Sequence, residues 1–265
     1  MKYLKFFLYA FFIFLQTNLN ADISYIDKLH ELDHRKVKNK SSPMFLDSVG
    51  SLGYINSQIS KLKNINIECS GILVSSQKNN NGNKILTSEH CLSDEHIETY
   101  TWLSQTKNKR IFRKGKVIYR DKVNDLAIIK LKKSINYNDI KPLIFKPNIK
   151  IKRKNYLVAG YSIDFLGNYG KLLTYDKPDY VHWGIESGIG KIGSITYQGD
   201  SGGAVIFNDT ETNTQYIVGL ISFIRKTNTV FLNEKNKYGN ISGYFTDLIN
   251  YQPSIQSLKD YFYKI

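Results

Sequence analysis

Cysteine is almost absent from this chain: Cys69 and Cys91 are the only two in 265 residues. At most one intramolecular disulfide can form, and the alternative is a pair of buried free thiols. The spacings C-x-x-C and H-E-x-x-H do not occur, so the zinc sites they signal are excluded, and neither a metal nor another cofactor is expected. Acidic residues are scarce, with 23 Asp plus Glu against 37 Lys plus Arg, a formal net charge of +14. A basic surface favours anionic partners, and an acidic glycan or anionic lipid surface stays open as one. The densest basic run, Lys146, Lys150, Lys152, Arg153 and Lys154, is interleaved with Ile149 and Ile151. It reads as an exposed connector, not a nucleic-acid module, so no specific nucleic-acid partner is expected. No internal repeat is present.

Long apolar runs are also missing, with one exception. Residues 6–15 are ten uninterrupted apolar or aromatic residues behind Lys2 and Lys5. That is half of the ~20 needed to span a bilayer as a helix. With polar residues following and a small residue at Ala21, residues 1–21 read as a secretory signal peptide cut after Ala21. Secretion, to the periplasm or outside the cell, and a mature protein without a transmembrane segment are expected. The oxidising destination favours the disulfide over free thiols.

At 42% hydrophobic residues, the chain can build a packed core. Residues 22–47 are polar and charged, with Arg35, Lys36, Lys38 and Lys40 close together, and read as a pro-segment or an N-terminal arm. From Val49 onward, short apolar strands alternate with turns, the five residues Asn79-Asn80-Asn81-Gly82-Asn83 being a strong turn signal. Strands are expected at 71–74, 85–87, 98–104, 115–120 and 126–131, then after a basic connector at 156–159, 170–174, 204–206, 216–222 and 243–246. Ile255, Leu258 and Phe262 have helical spacing after Pro253, which predicts a helix over about 253–264. The class is all-β.

Gly199-Asp200-Ser201-Gly202-Gly203 precedes an apolar run, Ala204-Val205-Ile206. A serine hydroxyl becomes a nucleophile only when a base takes its proton. Acyl transfer also needs backbone N–H donors aimed at the developing oxyanion. Upstream, Thr87-Ser88-Glu89-His90-Cys91 ends one apolar strand, and Asp125 opens another, Leu126-Ala127-Ile128-Ile129. His30, His34, His96 and His182 sit in no such context, and Asp121 does not lead directly into a strand. The order His90, Asp125, Ser201 is one of the known triad orders.

Together with Cys69-Ser70-Gly71-Ile72-Leu73, these motifs resemble the trypsin/chymotrypsin-like serine protease family, from about Val49 to the C-terminus. The resemblance implies two six-stranded antiparallel β-barrels, about 48–140 and 150–250, with a C-terminal helix. It implies a Cys69–Cys91 disulfide behind the histidine. It implies a secreted, monomeric endopeptidase acting on protein or peptide substrates. His90 would be the base, Asp125 its orienting partner and Ser201 the nucleophile. The N–H groups of Gly199 and Ser201 would form the oxyanion hole. Ser222 would border the substrate, and Ile195, Thr196, Ile224 and Gly243 would shape the specificity pocket. Ile195, six before the serine, is not an acid, so a small or apolar P1 residue is expected instead of Lys or Arg. Asp200 would receive the amino terminus created when a zymogen is cut, here within 35–40, although no Ile-Val-Gly-Gly follows that cluster. Glu89 and Ala204 depart from the family pattern. The competing reading is a non-catalytic secreted binding protein or adhesin on the same scaffold.

Overall fold

The computed structural model describes residues 35–55, 65–77, 80–93, 100–146, 149, 155–162, 172–183, 189–194, 196, 199–225 and 242–249. The expected signal peptide, residues 22–34 of the arm, His30, His34, His96, Ile195 and the C-terminal helix lie outside the described residues. Among the described residues the regular structure is strand and short 3-10 turns, and no helix is long and apolar enough to cross a membrane.

The first barrel closes on itself. It contains β2 (Val49–Ile55), β3 (Ile65–Ser75), β4 (Gly82–Thr87), β5 (Tyr100–Gln105), β6 (Arg110–Asp121) and β7 (Leu126–Ile135). The pairings run β2–β3–β4–β7–β6–β5 and back to β2, all antiparallel. Closure leaves no free strand edge. The second half contains β9 (Tyr156–Gly160), β10 (Thr174–Asp176), β11 (Val181–His182), β12 (Ile189–Ile192), β13 (Ala204–Asp209), β14 (Thr214–Arg225) and β15 (Ser242–Asp247). They pair antiparallel in the order β10–β9–β13–β14–β15–β12–β11. A short strand, β8 (Leu143–Phe145), runs parallel to both β3 and β14 and joins the two halves. At the outer edge, β1 (Lys36–Val37) adds to β10.

The apolar runs read as continuous because their strands are buried on both faces. Successive side chains on a strand point to opposite sides. Leu73, Ile85, Ala127, Ile129 and Leu131 fill the first barrel with Leu52, Tyr100 and Trp102. Their neighbours Ile72, Val74, Leu86, Leu126 and Ile128 point the other way. There they meet Ala159, Ala204, Ile206, Ile217 and Leu220 from the second half. Val205, Phe207, Val218 and Phe245 fill the second interior. The Trp102 indole N–H donates to the Gly71 carbonyl at 2.8 Å, which satisfies the only polar atom of that buried side chain.

Several sequence expectations shift, including the basic connector after 131, which contains β8. The 98–104 and 115–120 strands are a longer hairpin, Tyr100–Gln105 with Arg110–Asp121. The ends of β6 carry charged residues, Arg110, Arg113 and Lys114 at one end and Arg120 and Asp121 at the other, so an apolar run alone marks the strand too short. The expected strand at 170–174 begins at Thr174 and extends to Asp176, where pairing with β9 is available.

Candidate active site

His90 sits in a short 3-10 turn, Glu89–Cys91, at the end of β4. The turn is tied down on three sides. Cys91 is disulfide-bonded to Cys69 of β3, 22 residues away. Arg120 of β6 holds Glu89 through Nη2 and Oε1 at 2.6 Å and donates to the Leu92 carbonyl at 3.2 Å. The Ser88 hydroxyl donates to the Ile221 carbonyl of β14 at 2.9 Å, which anchors the turn to the second half. Glu89, a departure from the family pattern, is therefore a buried, paired strut and not a group of the site.

Asp125 opens β7 with φ 51°, a left-handed conformation that aspartate tolerates better than most residues. Asp121 shapes that turn: its carboxylate accepts from the N–H groups of Val123 and Asn124, both at 3.1 Å. Capping is thus the work of Asp121, and Asp125 is left to face His90. From the other half, the Thr246 hydroxyl donates to the Asn124 carbonyl at 2.9 Å. The two Asp125 oxygens lie 2.9 and 2.8 Å from His90 Nδ1, and Oδ1 also accepts the His90 backbone N–H at 2.9 Å. The Ser222 hydroxyl donates to Asp125 Oδ2.

The charges follow this geometry. The Asp125 hydrogen bond raises the His90 pKa above its ordinary 6.5. The charges of Asp125 and Glu89 add to that, while partial burial works against it. For Asp125, burial is the largest single influence and pushes its pKa up. The bonds from the His90 ring, the Ser222 hydroxyl and the His90 N–H together outweigh it and hold the carboxyl below 3.8.

Ser201 comes from the second half, in the turn before β13. Gly199 and Gly202 have φ 94° and 77°, angles open to glycine and strained for other residues. A Cβ on Gly202 would also lie 2.3 Å from the Ser70 carbonyl oxygen. The turn is closed by Gly203 N–H to the Asp200 carbonyl at 2.7 Å. It is docked on β14 by Gly202 N–H to the Ile221 carbonyl at 2.7 Å, and on β3 by Ser70 N–H to the Ser201 carbonyl at 2.7 Å. The Ser70 hydroxyl donates to the Gly199 carbonyl at 2.8 Å and accepts the Tyr161 N–H at 2.7 Å. The N–H groups of Gly199 and Ser201 donate to no acceptor among the described residues. The Ser201 hydroxyl donates to the Ser222 carbonyl at 3.2 Å.

A family model for the trypsin-like peptidase domain matches residues 69–216, more than half of the chain. The chain belongs to this trypsin-like peptidase family. No curated protein matches it.

Within the family pattern, the described structure brings His90, Asp125 and Ser222 into one hydrogen-bonded set and Ser201 onto the same Ser222 residue. In the specificity region, Ile224 stands opposite Gly243 in the β14–β15 register. A Cβ on Gly243 would lie 3.0 Å from both Thr196 Oγ1 and Ile192 Cγ1. Among the described residues, the buried hydroxyls of Thr196 and Ser194 meet no hydrogen-bond partner. Cys69, His90 and Cys91 are close enough together to resemble a metal cluster, but the sulfurs are bonded to each other and Nδ1 is engaged by Asp125. His182 lies in β11 with its ring edge-on to Tyr180, 4.9 Å between centroids.

Sequence reasoning missed Ser70, Ser88, Thr246 and Arg35. The first three are serines and threonines whose partners are carbonyls in the opposite half. Hydroxyl residues are common, and nothing local distinguishes a cross-barrel donor. Arg35 was legible only as one member of a basic cluster. In the structure its guanidinium lies 3.0 Å from Asp200.

Proposed function

We propose that the chain is a secreted serine endopeptidase that works through an acyl-enzyme. The observation that carries this reading is the chain Ser222–Asp125–His90, which fixes one imidazole tautomer in a site whose serine turn has two N–H donors with no acceptor among the described residues. Asp125 accepts the Nδ1 proton, which leaves Nε2 as the base. Ser201 is the nucleophile. Its hydroxyl rests on the Ser222 carbonyl, and a substrate strand laid along β14 competes for that carbonyl. Rotation about the serine Cα–Cβ bond then carries Oγ to His90, which takes the proton and later returns it to the leaving amine. The Gly199 and Ser201 N–H groups stabilise the oxyanion, each worth about 3–4 kcal/mol in the transition state.

The P1 residue is small or apolar. Ile195 stands where an acid would select Lys or Arg, and the described neighbours of Gly243 are Ile192 and Thr196. A peptide library that ranked Lys or Arg first would reject this assignment.

The deciding experiment is fluorophosphonate labelling of the signal-cleaved protein beside Ser201→Ala and His90→Ala. Labelling in the wild type alone is expected. A folded wild type that never labels would transfer the chain to the binding-protein reading.

A further inference from the structure

Asp200 lies between the two residues whose N–H groups face the oxyanion, so its orientation sets the peptide plane that carries the Ser201 N–H. Its side chain is 3% exposed and needs a buried partner. Arg35, itself 6% exposed, supplies one: Nη1 lies 3.0 Å from Asp200 Oδ2. The same nitrogen donates to the Ser162 hydroxyl at 2.6 Å and the Thr174 hydroxyl at 3.1 Å. The Ser162 hydroxyl in turn donates a hydrogen bond to Asp200 Oδ1 at 2.7 Å. Gly160 makes room, since a Cβ there would lie 2.4 Å from that oxygen.

The backbone around Arg35 is held as firmly as its head group. Lys36 and Val37 pair with Tyr175 and Thr174, and the Lys38 N–H donates to the Leu173 carbonyl at 2.8 Å. Lys38 adds an ion pair to Asp47. The arm is thus an edge strand of the second half at Lys36–Val37, directly after Arg35. Its guanidinium occupies the place beside Asp200 where the resemblance led us to expect a new amino terminus.

We propose that Arg35 is the positioning residue of the catalytic turn, an internal counter-ion that assembles the oxyanion site without cleavage of the chain. This rests on the endopeptidase reading above. It has a direct consequence: cutting the basic cluster after Arg35 switches the enzyme off, because it detaches the guanidinium from the edge strand. Removing one member of a buried ion pair is strongly unfavourable.

The test compares the signal-cleaved chain with Arg35→Ala, Arg35→Gln, Arg35→Lys and a chain that begins at Lys36. Two readouts are taken: kcat and KM on a peptide substrate, and hydrogen exchange of the amides in 199–206. Arg35→Ala and Arg35→Gln are expected to lose about 100-fold or more in kcat with KM changed only a few-fold. Arg35→Lys and added guanidinium each recover part of the loss. Exchange in 199–206 rises in the Ala and Gln variants while β3 and β7 stay protected. Wild-type kcat and exchange in Arg35→Gln would overturn the proposal, as would higher activity in the chain that begins at Lys36. If the wild type hydrolyses nothing, the endopeptidase reading fails by itself, and exchange alone then decides the role of Arg35. Unchanged exchange rejects that role, and faster exchange in the turn upholds it.

Discussion

The histidine side and the serine side of the cleft are held by different physics. On the histidine side, a closed six-stranded barrel, a disulfide and the Arg120–Glu89 pair fix a three-residue turn locally. The disulfide and ion-pair partners lie within residues 69–120 and the barrel within 49–135, with the Ser88–Ile221 bond as the tie to the other half. On the serine side, the turn 199–203 is held by Ile221 of its own half and Ser162, and by Ser70 and Arg35 from far along the chain. One side is stiffened mainly by covalent closure and strand pairing, the other by hydrogen bonds and a buried ion pair. The first kind of restraint survives changes in pH and salt. The second requires the whole domain to be folded before Ser201 is in place.

The comparison can be broken most severely at the chemistry itself. Asp125→Asn leaves the shape but reverses the hydrogen bond that selects the tautomer, and a loss of about 10⁴ in kcat is expected. A loss under tenfold would remove Asp125 from the triad. The same substitution removes the main cause of the raised His90 pKa, so the acid limb of the rate profile should move down to 6.5 or below.

Opening the disulfide tests the covalent side. Cys69→Ser combined with Cys91→Ser is expected to cost about 3 kcal/mol of stability in the chain-entropy picture. Residual folded protein should retain a catalytic turn on the serine side. Exchange that rises first in 199–203 would contradict that division of labour.

Ser70→Ala probes the opposite side. It strips the hydroxyl that holds the Gly199 carbonyl and receives the Tyr161 N–H, at a cost of about 1–3 kcal/mol for the groups left unpaired. The effect should appear in kcat as well as in stability, because Gly199 carries one of the two proposed oxyanion donors. A variant with wild-type kcat and lowered stability would confine Ser70 to a structural role.

The smallest expected effect is in pH. His90 has a raised pKa, so the folded state favours its protonated form. That stabilisation is fully present below 6.5 and fades as pH climbs through the folded-state value. Catalysis needs the neutral ring, so kcat/KM should rise with a single apparent pKa above 6.5. Asp125 contributes in the opposite sense: its stabilisation is present above 3.8 and is lost only at more acidic pH. Ser222→Ala removes one of the bonds that hold Asp125 low and should shift this acid-side loss upward.

Much of this was readable in the chain. Motifs place a histidine at a strand end and an aspartate at a strand mouth, with a serine between glycines. Each depends on neighbours within a few residues. Strand pairing of apolar runs follows from side-chain alternation, and burial on both faces explains why Leu126–Ile135 begins as an unbroken apolar stretch. The ends of β6 and the whole of β8 were not readable, since their residues become strand only where a partner edge is supplied.

What the sequence determined by itself is therefore the covalent and local part: residue types, turn glycines, cysteine pair and alternating strands. Tertiary structure alone decided which of several cations neutralises Asp200 and which hydroxyls tie the two halves together. The physical reason is range. Backbone preference and side-chain alternation act over a few residues, whereas Arg35 and Asp200 stand 165 residues apart and meet only when the folded chain takes both out of water.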